Sequence, residues 1–173
     1  MSTSPSERSS ATVVIGLGNP LMGDDGLGLA ALERLQRDWR MPPDVELVDG
    51  GTWGLNLLPV IEDAARVLLI DAIDIGATPG SAALIPRERL PRYLGTKVSP
   101  HQVDLRDVLA LAELRGTLPA ETMAVGLQPG RVELGNELSA VIQPRLDELV
   151  GTVVRLLGEW GHECTPRAAT AHA

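Results

Sequence analysis

The chain has 173 residues, a hydrophobic fraction of 44% and a net charge of −8 at neutral pH, values that suit one globular domain and exclude a disordered chain. No apolar run reaches the roughly 20 residues of a membrane helix, no secretory leader is recognisable, and the acidic balance with 2% aromatic residues disfavours nucleic-acid binding. The single cysteine, Cys164, excludes an intramolecular disulfide or an iron–sulfur cluster, so we expect a cytoplasmic protein that contacts neither membranes nor nucleic acids.

Strand-like and helix-like segments alternate along most of the chain. We predict a single α/β domain over residues 11–161, a flexible N-terminal arm over 1–10 and a flexible C-terminal tail over 162–173. In chain order the predicted elements are a strand at 12–15, a helix at about 27–39, strands at 45–48 and 66–71 separated by a helix at 55–63, a strand at 81–85, a helix around 105–112, a strand at 122–127 and a helical region at about 137–160. Pro59 would kink the second helix or delay its start, and Pro144 would divide the last helical region.

The alternation of strands and helices predicts a three-layer α/β/α sandwich around a mostly parallel, twisted sheet. The fourth strand follows the third after a Gly/Pro-rich loop at 76–80, which is too short for a parallel crossover. We therefore expect the fourth strand to run antiparallel to its neighbours or to lie at an edge. In such sheets ligands bind beyond the carboxyl ends of the parallel strands, so the residues at those ends are the ones to consider.

A glycine-rich loop follows the first strand at residues 16–28. It does not fit a dinucleotide fingerprint, because Leu21 stands where the third glycine would fall and the carboxylates of Asp24 and Asp25 would repel a phosphate at the start of the next helix. Two roles remain open for these aspartates. One of them could cap the helix, or they could bind a cation or take part in catalysis.

Acidic and imidazole side chains also follow later strands. Asp71 comes directly after an aliphatic run, where an unpartnered carboxylate is costly, whereas Asp74 and Asp49 fit turn positions. His101 precedes the third helix; alone it fits a surface or capping histidine, but the other two histidines lie in or beside the C-terminal tail. If Asp25, Asp71 and His101 converge, two carboxylates and one imidazole suit a divalent ion such as Ni²⁺, Zn²⁺ or Fe²⁺, with positions left open for substrate.

The stretch GLGNPLMGDDGLG at residues 16–28 resembles the signature G-x-G-N-x-L-x-x-D-[DE]-G-x-G of the hydrogenase maturation endopeptidases. Three later motifs support the resemblance in the same order: DGGT at 49–52, LIDA at 69–72 and SPHQ at 99–102. The first motif is long and specific, whereas the later ones are weak singly and strong together. The resemblance covers roughly residues 13–160.

The resemblance implies a peptidase domain with a five-stranded sheet, the fourth strand antiparallel, in a phosphorylase/hydrolase-like sandwich. It implies an endopeptidase that removes a short C-terminal extension from the nickel–iron hydrogenase large-subunit precursor after nickel insertion. The family's metal-contacting residues fall on Asp25, Asp71 and His101, which we take as the predicted catalytic and metal-binding residues; some members have glutamate at the first position. Asp24 and Asp49 would help to shape the site.

On this hypothesis Asp25, Asp71 and His101 bind the nickel ion that the precursor already carries. The metal then serves as a recognition tag and as a Lewis acid. Cys164, beside Glu163 near the C-terminus, is poorly placed for a nucleophile. Two alternatives stay open: a metal-dependent peptidase or amidase of the same fold with its own metal and another substrate, or a non-catalytic hydrogenase-assembly chaperone.

Overall fold

The computed structural model describes residues 11–51, 54–93 and 105–168. The strands are β1 (Thr12–Leu17), β2 (Trp39–Arg40), β3 (Val45–Gly51), β4 (Arg66–Ala72), β5 (Ala82–Pro86), β6 (Glu121–Leu127) and β7 (Thr165–Pro166). The α-helices are α1 (Leu27–Asp38), α2 (Leu58–Asp63), α3 (Leu90–Tyr93), α4 (Leu105–Leu114) and α5 (Leu146–Glu159). Short 3₁₀ turns at Gly23–Gly26, Gly54–Leu57, Arg87–Arg89 and Gln143–Arg145 precede α1, α2, α3 and α5.

The central sheet has five strands in the order β3-β1-β4-β6-β5. The first four of these run parallel to one another, and β5 pairs antiparallel with β6 at the edge of the sheet. The prediction for the fourth strand is therefore confirmed in both of its forms, because β5 is antiparallel and lies at an edge. The cause is the short connection after β4, which cannot carry a crossover helix.

Helices cover both faces of the sheet, so the predicted three-layer sandwich is confirmed. On one face α1 and α5 pack against β1, β4 and β6 through aliphatic side chains. On the other face α2 and α4 do the same. The central strands β1 and β4 are buried along almost their whole length, which explains their continuous aliphatic sequence.

Pro59 and Pro144 both lie at the start of a helical segment, where the missing N–H of proline breaks no helical hydrogen bond. Pro59 lies in the first turn of α2, which begins at Leu58, so the predicted delayed start is confirmed. Pro144 lies in the 3₁₀ turn that leads into α5. The prediction of helix from residue 137 is wrong, because α5 begins only at Leu146. The intervening residues include Ser139, whose backbone N–H and hydroxyl both donate to the carboxylate of Asp24.

The predicted flexible tail does not begin at His162. The ring of His162 is 6% exposed, and its Nε2 lies 2.7 Å from Oγ1 of Thr12 at the start of β1. Further along, β7 pairs antiparallel with β2, and the N–H of Arg167 donates to the carbonyl of Asp38. Residues 169–173, like the predicted arm at 1–10, lie outside the described residues.

None of the helices in the described part of the chain has the length and hydrophobicity needed to traverse a bilayer.

The contact between Thr12 and His162 gives a prediction about stability. Replacing Thr12 with valine keeps the shape of the side chain but leaves a buried ring nitrogen of His162 without its partner. We expect Thr12→Val to lower the free energy of unfolding by about 1–3 kcal/mol in urea titrations. The matched control is Thr152→Val, which removes an exposed hydroxyl that donates to the carbonyl of Glu148 and should change stability by less than about 0.5 kcal/mol. Equal stability of the two variants would contradict a stabilising contact between Thr12 and His162.

Candidate active site

The loop after β1 turns sharply over the carboxyl end of the sheet. Gly18 has a φ of +116°, a backbone conformation that side chains other than glycine's rarely adopt. A Cβ at this position would also overlap the backbone carbonyl of Asp25. The N–H of Gly18 donates to the carbonyl of Gly51 in β3, at 3.1 Å. The glycine therefore lets the loop fold back tightly onto the strand ends.

Asp25 and Asp71 lie at the same end of the sheet. A Cβ on Gly18 would overlap the main-chain carbonyl oxygen of Asp25 and would lie 3.6 Å from Oδ1 of Asp71. Asp71 stands near the end of β4, and β4 packs against the 3₁₀ turn that carries Asp25. The fold thus brings together two residues that are far apart in sequence, in a region that parallel sheets commonly use for ligands.

Main-chain N–H groups hold one oxygen of each of these carboxylates. The N–H of Asn19 donates to Oδ2 of Asp25 at 2.9 Å, and the N–H of Ala72 donates to Oδ1 of Asp71 at 2.8 Å. Asp25 is half-buried, and Asp71 is 5% exposed. Both side chains are therefore oriented before any ligand arrives, as binding and catalysis favour.

Asp24, the neighbour of Asp25, has a different role. Its carboxylate is fully buried and accepts four hydrogen bonds: from the N–H of Gly130 at 2.9 Å, from the N–H of Arg131 at 2.8 Å, and from the N–H and hydroxyl of Ser139 at 2.7 Å each. Burial alone raises the pKa of Asp24, but the donors of Ser139, Arg131 and Gly130 together outweigh it and hold that pKa below its ordinary value. Asp24 is a structural anchor for residues 130–139.

Helix capping does not explain these aspartates. The residue at the N-cap of α1 is Gly26, and no side chain caps that helix. The expected turn role is found at Asp74, whose Oδ1 accepts hydrogen bonds from the N–H of Gly76 and from the Gln128 amide, and both lower its pKa. The prediction that Asp49 lies in a turn is wrong, because β3 continues through this residue to Gly51. Asp49 is exposed on that strand, opposite Gly16 of β1.

His101 and the whole SPHQ motif at 99–102 lie outside the described residues. The backbone of Asp25 and the side chain of Asp71 lie at the same end of the sheet, whereas the convergence of both carboxylates with the imidazole of His101 stays a prediction. Within residues 11–51, 54–93 and 105–168, no group of three histidine, cysteine or acidic side chains is gathered in a way that could hold a metal ion.

Two described side chains away from this end of the sheet, those of Cys164 and Thr12, carry nucleophilic groups but are poorly suited to attack a peptide bond. Burial raises the pKa of the Cys164 thiol, whose sulfur lies 3.7 Å from that of Met41, so the reactive thiolate is disfavoured. Thr12, His162 and Asp44 form a hydroxyl–imidazole–carboxylate series, with His162 Nδ1 3.2 Å from Asp44 Oδ2. However, Thr12 is fully buried at the opposite end of the sheet, where no peptide bond can reach its hydroxyl.

Sequence patterns predicted neither the hydrogen bonds that anchor Asp24 nor the contact between Thr12 and His162. The anchor joins Asp24 to a segment 106 to 115 residues away, and the Thr12–His162 contact spans 150 residues. The one available signal was the doubled aspartate itself, because one capping residue would have been enough. That signal marked the loop as unusual without identifying the partners.

The chain is similar to proteins of one family. Residues 29–156 match the family model HycI, described as hydrogenase maturation protease. The hydrogenase expression/formation protein HoxM of Cupriavidus necator is 40% identical over 159 residues, which cover 91% of this chain and 79% of that protein. The hydrogenase 2 maturation protease of Escherichia coli K12 is 32% identical over 158 residues, which cover 91% of this chain and 96% of that protein. The solved structure of the hydrogenase maturating endopeptidase HybD from E. coli matches with a TM-score of 0.84 at 31% identity, covering 91% of this chain and 98% of that one.

The buried anchor gives a second prediction. In Asp24→Asn an amide NH₂ must face backbone N–H donors, so at least one buried hydrogen bond is lost. We expect the free energy of unfolding to fall by about 1–3 kcal/mol in urea titrations. The control is Asp74→Asn, which also changes an aspartate that accepts two hydrogen bonds, but an exposed one, and should cost less than about 0.5 kcal/mol.

The difference in stability between the wild type and Asp24→Asn should depend on pH. The pKa of Asp24 is lower in the folded protein than the ordinary value of 3.8, so the unfolded state binds the proton more tightly. The stabilisation by Asp24 is therefore complete above about pH 5 and is lost as the pH falls through the lowered pKa. The stability difference between the wild type and Asp24→Asn should be constant from about pH 7 to 5 and shrink below about pH 4. A difference that grew on acidification would contradict the anchor.

Proposed function

The chain belongs to the hydrogenase maturation protease family, and from that premise we propose that it removes a short C-terminal extension from the precursor of the nickel–iron hydrogenase large subunit after nickel insertion. The endopeptidase activity itself follows from membership, since the similarity spans nearly the whole chain and includes the fold. The substrate, its metal and the residues that contact it are the proposal.

The observation that carries the proposal is the meeting of the Asp25 and Asp71 segments beside Gly18. Two oriented carboxylates at the carboxyl end of the sheet supply oxygen ligands for a divalent ion, and His101 would add the nitrogen ligand. Three ligands from this chain leave coordination positions for the groups with which the precursor already holds its nickel. The nickel is thus part of the substrate, carried by the precursor rather than held permanently by this protein.

Peptide hydrolysis at such a site needs a nucleophile and a polarised carbonyl. Neither Cys164 nor Thr12 suits the first role, so we propose water as the nucleophile. A water oxygen adds to the scissile carbonyl carbon while a carboxylate of the site accepts a proton from that water. The same carboxyl group then returns this proton to the departing amine as the carbon–nitrogen bond breaks. The nickel of the precursor polarises the carbonyl or activates the water. Because the N–H groups of Asn19 and Ala72 already fix the carboxylates, little reorganisation is needed.

Metal recognition of this kind would make cleavage a check on assembly. A precursor without nickel offers Asp25 and Asp71 nothing to bind, so its extension stays in place until the metal is loaded. The single thiol of Cys164 favours a reducing compartment, and the cytoplasm stays the predicted location.

Loss of any proposed ligand should stop processing. We expect Asp25→Asn, Asp71→Asn and His101→Ala, each alone, to lower the rate of cleavage of purified nickel-loaded precursor by roughly 100-fold or more, measured by the change in precursor length on a gel. Asp63→Asn is the control, because Asp63 is an exposed aspartate at the end of α2, just before the amino end of β4, away from the site. A variant of the three that folds normally and cleaves at the wild-type rate would remove that residue from the site.

Cleavage should also depend on the metal of the substrate. We expect the nickel-loaded precursor to be shortened and the nickel-free precursor to stay intact under the same conditions. Protein purified without precursor should contain far less than one equivalent of metal. Equal cleavage of both precursors would contradict the role of nickel as a recognition tag. Stoichiometric zinc in the purified protein would favour a peptidase with its own metal. Binding of precursor without a change in its length would favour a chaperone.

A further inference from the structure

Three large apolar side chains are exposed next to the candidate site. Leu21 is 60% exposed, Val132 49% and Leu134 85%. The N–H of Gly135 donates to the carbonyl of Leu21 at 2.9 Å, and Met22 forms a parallel bridge with Gly135. In this register Leu21 and Leu134 are the residues that precede the bridged pair Met22 and Gly135. We call the three exposed side chains of Leu21, Val132 and Leu134 the apolar ledge.

The ledge is held in place by hydrogen bonds although it has no regular secondary structure. The Asp24 carboxylate binds the N–H of Arg131, the N–H of Asp24 donates to the carbonyl of Arg131 at 2.9 Å, and the N–H of Gly23 donates to the carbonyl of Gly135 at 2.8 Å. Apolar groups on a preorganised segment lose little conformational entropy when a partner covers them. Rigid exposure of this kind is a feature of binding surfaces.

Two side chains of opposite charge flank Val132. Arg131 and Glu133 lie on either side of Val132 and form an exposed ion pair at 3.4 Å. These two opposite charges offset each other, and the three side chains of the ledge are themselves uncharged. A partner surface that complements it is apolar and needs no opposite charge.

The position of the ledge identifies the partner. The residues next to Val132 and Leu134 along the chain, Arg131 and Gly135, are hydrogen-bonded to Asp24 and Gly23, and Asp25 is the next residue of the same 3₁₀ turn. A protein that delivers a metal ion to Asp25 must approach this turn and come within reach of the ledge. We propose that the apolar ledge is a docking surface for the nickel-loaded hydrogenase large-subunit precursor, which meets it with apolar surface near its nickel site. This inference rests on the proposed function.

The test separates docking from chemistry. Leu134→Asp and Leu21→Asp place a charge on the ledge without touching Asp25 or Asp71. We expect KM for nickel-loaded precursor to rise on the order of tenfold while kcat at saturating precursor stays unchanged, since truncated anchor residues of an interface commonly have effects of this size. Leu134→Met, which keeps an apolar side chain of similar volume, should restore the wild-type KM.

The matched control is Leu114→Asp. Leu114 is also 85% exposed, but it ends α4 on the side that leads to the amino end of β6, away from the carboxyl ends of the parallel strands. This variant should keep the wild-type KM, and thermal melts should show that all variants are folded. An unchanged KM in Leu134→Asp, or a fall in kcat alone, would overturn the docking proposal while wild-type processing upheld the proposed function. Failure of the wild type to process precursor would instead remove the proposed function.

A second copy of this chain is the competing occupant. Sedimentation of the wild type and Leu134→Asp distinguishes the two. A monomeric wild type together with the rise in KM supports precursor docking. A dimer that Leu134→Asp dissociates without a change in KM overturns it and assigns the ledge to self-association.

Discussion

The buried carboxylate of Asp24 is the contact on which the candidate site depends. A charge removed from water is costly unless donors surround it, and here the donors all come from one distant segment of the chain. Their hydrogen bonds offset the cost of burial and in doing so join the loop after β1 to residues 130–139. Residues 130–139 contain neither a helix nor a strand, so the Asp24 carboxylate and the backbone hydrogen bonds to Gly135 and Arg131 hold them against the turn that carries Asp25.

Close backbone approach completes the arrangement. A Cβ on Gly28, in the first turn of α1, would overlap the carbonyl oxygens of Leu17 and Ile70. The absence of a side chain at Gly28 lets α1 start directly on the ends of β1 and β4, so that the turn before it lies over Asp71. The two neighbouring aspartates thus have different roles. Asp24 is buried and binds residues 130–139, whereas Asp25 lies on the side of the loop near Asp71, where we propose that a metal is bound.

The two ends of the sheet have different characters. At the carboxyl end, polar side chains, tight turns and the apolar ledge lie together, which suits a surface that receives another protein and acts on it. At the amino end, the contact between Thr12 and His162 and the pairing of β2 with β7 tie the two ends of the described domain together. The hydroxyl–imidazole–carboxylate series found there illustrates that residue types alone do not make an active site, because a nucleophile without access to substrate has no function.

The sequence by itself determined the order of the elements, the antiparallel edge strand and the late start of α2, since these follow from short-range effects. Periodic burial, the reach of a short loop and the missing N–H of Pro59 all act within a window of a few residues. Strand-end position also singled out Asp25 and Asp71. Only the tertiary structure decided the role of Asp24, the end of the helical prediction before Leu146 and the ordering of residues 162–168. Those features rest on partners more than 100 residues apart in sequence, and which polar groups meet over that distance depends on how the whole chain packs.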